Sequence, residues 1–419
     1  MDRELELLLL EQGRRAKQAS RFLATAGTEL KNTALFKMAE QLEKQSQEII
    51  AANQIDLDQG ERQGLTKALL ERLMLNQTRI QDMTQGLREI AALPDPVGEM
   101  LEMHHRPNGL DIGRIRTPIG VIGIIYESRP NVTADAAGLC LKSGNAIILR
   151  GGEEALYSNR VIARILADAA AECGLPAGTI QLVDSEDREA AVFLMKMHDY
   201  LDVLIPRGGK GLKKAVLENA TVPVIMTGMG NCHVYLDAFA DYEKALPIVH
   251  NAKVQRPSVC NAAETLLVHS RVAEAFLPGI IADLQSAGVE IRGCAQTCSI
   301  VPDLTAATED DWATEYLDLI LAVKVVDCLE DAIEHINQYG TGHSEAIVSE
   351  HYPSVRKFMA GVDAAAVYAN ASTRFTDGSV FGFGAEMGIS TQKLHARGPM
   401  GLQELTTTKF VIYGDGQIR

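Results

Sequence analysis

The segment VQRPSVCNAAETLLVH (residues 254–269) sets Cys260 between a turn carrying Arg256, Pro257 and Ser258 and an apolar run that reads as a buried strand. A cysteine in that position is either a small hydrophobe packed into a core or a nucleophile. As a nucleophile it would do acyl chemistry: a thiolate attacks an activated carboxyl carbon, the leaving group departs, and a thioester remains. A free cysteine titrates near pH ~8.5, so the thiolate needs a cation or backbone N–H groups beside it. Arg256, four residues upstream, could be that cation or could be a solvated loop arginine.

Two kinds of element must position this segment. Residues 3–90 are rich in Ala, Leu, Glu, Lys and Gln with helical periodicity and form a helical lead-in. From 119 onward VIGIIY (121–126), NAIILR (145–150), IQLVD (180–184), LDVLIP (201–206) and VPVIM (222–226) read as buried strands. Helical stretches separate them, such as EEALYSNRVIARILADAAAEC, which Gly174 and Pro176 stop. Alternating strand and helix predicts βαβ crossovers and a parallel sheet. A second α/β unit begins near 230, with ETLLVH, VEIRG, LILAVKVV, EAIVSE and AAAVYAN between helices. Cys260 stands at its opening, so a cleft between the two units is the expected small-molecule site.

In a parallel sheet, ligands bind at the carboxyl ends of the strands. NAIILR runs into Gly151 and Gly152, IQLVD into Ser185, and LDVLIP into Arg207, Gly208 and Gly209. Such turns let a backbone approach a ligand closely and aim the next helix's N–H groups at a phosphate, or simply make tight turns. Neither a P-loop nor a GxGxxG after a strand is present, so a dinucleotide would be held by a variant arrangement. LDIGRIRTP (110–118) and LTTTKFVIYGDG (405–416) are strand-like but too polar for a core. Paired, they predict a projecting ribbon covered by another subunit.

At 419 residues, with 46% hydrophobic and 23% charged positions, the chain has the composition of a globular protein of two or three domains. A net charge of −15 argues against a nucleic-acid partner. The seven cysteines form no disulfide framework and no zinc-ligand spacing, so no metal is expected and a reducing, cytoplasmic setting is. The opening MDRELELLLLEQ reads as an amphipathic helix rather than a signal peptide, and no run approaches the ~18 apolar residues of a membrane span.

YESRPNVT (126–133), SGNAIILRGG (143–152), VQRPSVCNAAETLLVH (254–269), YGTGHSEAIVSE (339–350) and FGFGAEMGISTQKLHARGPMGLQELTTTKF (381–410) together resemble the γ-glutamyl phosphate reductase family of the aldehyde dehydrogenase superfamily. The resemblance runs from the helical lead-in to the last strand, with the blocks in family order. It implies an α/β, aldehyde-dehydrogenase-like fold with two Rossmann-like domains and a small β-ribbon oligomerisation element. The domains would be 1–107 with 119–229 for NADP(H), 230–400 for catalysis, and 108–118 with 401–419 for the ribbon. The implied reaction is NADPH-dependent reduction of L-glutamyl 5-phosphate to glutamate 5-semialdehyde, the second step of proline synthesis.

What the resemblance implies for residues is specific. Cys260 would be the nucleophile, and Asn131 in SRPNVT matches the superfamily asparagine that stabilises the oxyanion. Arg150 stands where the superfamily often has a lysine facing the adenosine ribose, and a guanidinium there suits a 2′-phosphate. Gly151, Gly152, Ser185, Arg207, Gly208 and Gly209 would continue the cofactor groove. Arg129, Arg256, Ser258 and Arg397 are candidates for an anionic substrate, with Asn370 and Glu345 as further cleft candidates. Hydrolytic relatives carry a glutamate near VIMTGMGN (224–231), where this chain has none. A reductase has no use for that base, because water attack would waste its thioester.

The rival enzyme reading is a thiol dehydrogenase acting on an acyl-CoA or a simple aldehyde, and a rival of another class is a non-catalytic scaffold. Expected partners are L-glutamyl 5-phosphate, further copies of the chain, and glutamate 5-kinase, whose acyl phosphate product is prone to cyclise.

Overall fold

A computed structural model describes residues 3–419. The chain divides into two compact units: the first reaches to Met226 and includes Gly382–Gly388 and Met400–Arg419, and the second is Thr227–Phe381 with Ile389–Pro399.

The first unit opens with five helices, α1 (Arg3–Leu23), α2 (Thr28–Lys44), α3 (Ser46–Arg62), α4 (Lys67–Leu73) and α5 (Gln77–Ala92). Thr66 and Asn76 cap α4 and α5 through their side chains, taking up N–H groups that a helix start leaves unpaired. Strands β1 (Met100–His105) and β2 (Asp111–Pro118) follow, and then the α/β succession: β3 (Val121–Tyr126), α6 (Val132–Lys142), β4 (Ala146–Gly151), α7 (Leu156–Glu172), β5 (Ile180–Leu182), α8 (Arg188–Met195), β6 (Val203–Arg207) and α9 (Lys210–Asn219). The sheet is parallel with order β5-β4-β3-β6. The chain winds outward from β3 through β5 and then returns to the other side of β3, so the β3/β6 edge is a topological switch point. Every residue of β3 and β4 is buried, and α6 (VTADAAGLCLK) is apolar on nearly all sides because it too is enclosed. A Cβ on Gly138 would come 2.6 Å from Leu87, so α6 and α5 pack as closely as they do only through that glycine. VPVIM does not form a strand: Val224 makes one isolated bridge to Leu204, beside Pro223, which cannot donate to a ladder.

The second unit comprises β7 (Cys232–Leu236), α10 (Tyr242–Val254), β8 (Ala263–His269), α11 (Ser270–Ser286), β9 (Glu290–Gly293), α12 (Ala295–Ile300), β10 (Thr305–Ala306), α13 (Glu309–Trp312), β11 (Ile320–Val326), α14 (Leu329–Tyr339), β12 (Ser344–Val348), α15 (Tyr352–Gly361), β13 (Ala366–Ala369) and the two-residue strands β14 (Ile389–Ser390) and β15 (Gly398–Pro399). Its seven-stranded sheet, order β10-β9-β11-β8-β7-β12-β13, is parallel throughout. One face packs on α10 and α11 and the other on α14 and α15. The short run CHVYL, β7, lies between β8 and β12 near the centre of this sheet, a strand the sequence reading passed over.

The last strand, β16 (Thr406–Tyr413), pairs antiparallel with β2 over its whole length, Thr406 opposite Pro118 and Tyr413 opposite Asp111. This is the ribbon expected from 110–118 and 405–416. It carries a third strand, because β1 pairs with the other side of β2, so the element begins at Met100 rather than at 108. Phe410, Ile412 and Tyr413 on β16 and Met100 and Met103 on β1 are exposed. Among the described residues no helix is long and apolar enough to cross a membrane.

Candidate active site

In the second unit the chemistry gathers at the amino ends of the strands. α10 ends at Val254 because Pro257 cannot continue it, and residues 255–262 turn back into β8 with Cys260 half-buried. The connection is held at several points. Asn261 donates to the carbonyls of Thr376 (2.9 Å) and Arg374 (3.3 Å), and its own carbonyl accepts from the Thr373 hydroxyl at 2.7 Å. Thr376 is fixed in turn by Ser344 (2.6 Å) and Tyr368 (2.7 Å). The carbonyl of Cys260 accepts from the Cys232 thiol at 3.1 Å. Burial pushes that thiol well above its ordinary range, so Cys232 is a neutral donor and not a second thiolate.

Gly230 makes this packing possible. A Cβ there would fall 1.4 Å from the carbonyl oxygen of Cys260. The same glycine donates its N–H to Glu315 at 2.6 Å, so a carboxylate from the α13–β11 connection reaches the GMGN segment, which has none of its own.

Arg374, in the turn STRF, was not singled out in the sequence. Its Nε donates to Gln255 at 3.1 Å and its Nη1 donates to the Asn261 side chain. Burial pulls the guanidinium below its ordinary value, and the Arg256 charge pulls the same way while Cys260 opposes both. Arg256 itself is exposed, and Ser258 is half-buried in the turn.

Three other candidates have partners of their own. Asn370, left-handed at φ 54°, follows β13 on the carboxyl edge of the sheet, where its amide brackets Ser349 at 2.9 and 3.0 Å. Four strand residues, about 13 Å at ~3.3 Å each, separate that level from the amino edge. Glu345 is enclosed inside β12, bonded to the N–H and ring of His233 at 2.7 and 2.9 Å. Arg397 is ion-paired with Asp363 at 2.7 Å, which Lys393 shares at 2.5 Å.

In the first unit the candidates line the carboxyl edge of the sheet. After β3 come Glu127, Ser128 with φ 49°, half-buried Arg129, and Asn131, which opens α6. The Asn131 amide donates to Asp135 at 3.0 Å. Burial raises that carboxyl to about 6, against the opposing Asn131 bond and Arg207 charge. At the switch point the Glu127 N–H donates to the Arg207 carbonyl at 3.0 Å, and its carboxylate accepts from the Gly209 N–H at 2.9 Å. A side chain on Gly208 would meet Glu127, and one on Gly151 or Gly152 would meet Asn159 or Glu154. Glu154 accepts from the N–H of Ser128 and from its hydroxyl at 2.8 Å. Arg150 is buried, its Nε has no hydrogen-bond partner, and burial lowers it against the charges of Glu154, Glu153 and Glu127. Ser185 caps the turn into α8 by accepting from Asp187 at 3.1 Å. Glycine turns and a buried, incompletely bonded guanidinium suit the phosphates of a dinucleotide.

The aldehyde dehydrogenase family model matches residues 11–307. The γ-glutamyl phosphate reductase of Syntrophomonas wolfei is 76% identical over 419 residues, with 100% of both chains covered. That of Moorella thermoacetica is 64% identical over 97% of this chain and 98% of its own. Among solved structures, the γ-glutamyl phosphate reductase of Thermotoga maritima is 52% identical and superposes with a TM-score of 0.95, covering 98% of this chain and 99% of that one. An acetylating aldehyde dehydrogenase from Geobacillus thermoglucosidasius, 19% identical with a TM-score of 0.73 over 99% and 98%, shares the fold.

Proposed function

The chain belongs to the γ-glutamyl phosphate reductases of the aldehyde dehydrogenase family, and from that premise we propose that Cys260 carries the acyl group of the reaction. The enzyme reduces L-glutamyl 5-phosphate to L-glutamate 5-semialdehyde with a nicotinamide cofactor, a step of proline biosynthesis. The observation that carries the role of Cys260 is its connection, tied down by Asn261, Thr373, Thr376, Cys232 and the bare backbone of Gly230. An inert core cysteine needs no such fixing.

The Cys260 sulfur attacks the acyl carbon, a C–S bond forms, and the C–O bond to phosphate breaks with its electron pair leaving on phosphate. Asn131 is the proposed side-chain donor to the oxyanion, and the Cys260 N–H the proposed backbone donor. When bound, NADPH supplies the hydride that converts the thioester to the aldehyde and releases the thiolate. Arg150, Gly151, Gly152, Ser185, Arg207, Gly208 and Gly209 would hold that cofactor, Arg150 reading the 2′-phosphate. Arg129, Arg256 and Ser258 remain the proposed contacts to the anionic substrate. Arg397 and Asn370, tied to Asp363 and Ser349, are further proposed substrate contacts.

The test is phosphate-dependent reduction of NADP+ by glutamate semialdehyde. Wild type should support it and rescue a proline auxotroph, and Cys260→Ala should do neither. Rescue by Cys260→Ala would end the thioester reading, and a requirement for CoA instead of phosphate would favour an acyl-CoA reductase. We further propose a cytoplasmic homo-oligomer covered at the ribbon, and channelling from glutamate 5-kinase. Sedimentation of the two enzymes during turnover would show co-migration, and separate boundaries would discard the channelling.

A further inference from the structure

The guanidinium of Arg374 spans the connection that carries the nucleophile. It bonds Gln255, the residue before Arg256, and Asn261, the residue after Cys260, across a separation of 113 residues to the latter. These bonds use two of the five N–H donors a guanidinium carries. Among the described residues neither Arg374 nor Arg256 is ion-paired with a carboxylate, whereas Arg397 is. We infer that Arg374 and Arg256 form an anion receptor at Cys260, which holds the thiolate before attack and takes the phosphoryl oxygens as phosphate leaves.

This rests on Cys260 being the nucleophile. Arg374 bonds the residues that flank Arg256 and Cys260 and feels the charge of both, and like charges held together favour an anion beside them. The groups acting on Arg374 are Arg256 and Cys260 of this connection, Asp377 from the following turn, and Cys232 of β7. Cys232 does not compete, because burial keeps it as a thiol. Asp377 already accepts from the N–H and hydroxyl of Ser379. When the C–O bond breaks, charge appears on the departing phosphate, and planar N–H donors suit its oxygens. Arg374 is thus a positioning residue towards the sulfur and a binding residue towards phosphate.

The test is the rate of iodoacetamide alkylation at Cys260 between pH 5 and 10, followed by peptide mass spectrometry, with and without inorganic phosphate. Arg374→Gln should raise the midpoint by about one pH unit, slow alkylation at pH 7 by about tenfold, and weaken protection by phosphate. Arg374→Lys should keep the midpoint near that of wild type. Should Arg374→Gln not fold, Gln255→Ala at an exposed position removes one aiming bond and should still raise the midpoint. An unmoved midpoint in the folded variant overturns the thiolate half, and undiminished phosphate protection overturns the other. If the alkylated wild-type enzyme stays fully active, it is the nucleophile reading that fails instead.

Discussion

Lys253 and Glu264 form a 2.6 Å ion pair in which neither side chain is exposed, and they stand at the two ends of the connection that carries Cys260. Burial lifts the Glu264 carboxyl to about 7, against the Lys253 charge and bonds from Lys253 and the Leu317 N–H. Removing one partner of such a pair strands the other charge. Glu264→Leu should therefore cost about 3–5 kcal/mol. The double variant Lys253→Met with Glu264→Leu should recover most of that, as urea unfolding midpoints would show.

Gly230→Ala sets a methyl group against the Cys260 carbonyl. Backbone must shift, and overpacking of this kind costs about 1–3 kcal/mol. The displaced sulfur should lower kcat by about 100-fold. Steady-state kinetics and thermal melts on one preparation separate the two effects. A variant with wild-type kcat would show that the segment tolerates movement.

Asp135 gives a pH signature. Its carboxyl is held at about 6 in the fold, above the ~3.9 of an unfolded chain. A raised carboxyl contributes stability that is complete below about pH 4 and is lost as pH rises through about 6. Asp135→Asn removes that loss. Its unfolding free energy should exceed that of wild type at pH 7 by on the order of 1–3 kcal/mol, with the gap closing towards pH 4. The opposite slope would show that the carboxylate is held by partners more than it is desolvated.

Arg150→Met tests the cofactor assignment. If the guanidinium binds a 2′-phosphate, kcat/KM with NADPH should fall about 10- to 100-fold, the scale of a lost charged hydrogen bond. The value with NADH should change little. Equal losses with both cofactors would mean that Arg150 only braces Glu153 and Glu154.

The ribbon makes its own prediction. Phe410 and Ile412 are 66% and 58% exposed in the single chain, and β16 leaves one edge unpaired. Phe410→Asp with Ile412→Asp should shift sedimentation to a smaller species. Unchanged sedimentation would move the subunit contact elsewhere.

Both sheets and the ribbon were legible because buried strands are near-continuous apolar runs, while a half-exposed ribbon alternates. Pro223 marked the exception at VPVIM, and CHVYL was missed because a histidine and a tyrosine break its apolar run. The Cys260 connection stood out by its Pro-Ser turn. Its clamp did not, since Asn261 and Arg374 meet across 113 residues and nothing local marks such a meeting. Nor did anything local mark that Asn370 would bracket Ser349 at the carboxyl edge. Neighbourhood in sequence does not say which edge of a parallel sheet a residue reaches.

The anchoring of residues 255–262 bears on timing. A sulfur carried on a connection fastened to a neighbouring turn, a buried thiol and a side-chain-free strand entry has little left to order when substrate arrives. Most of the entropic toll of bringing reactants together has been settled during folding. With Cys260 in its proposed role as nucleophile, differences in turnover among close relatives should arise in how they seat the acyl phosphate.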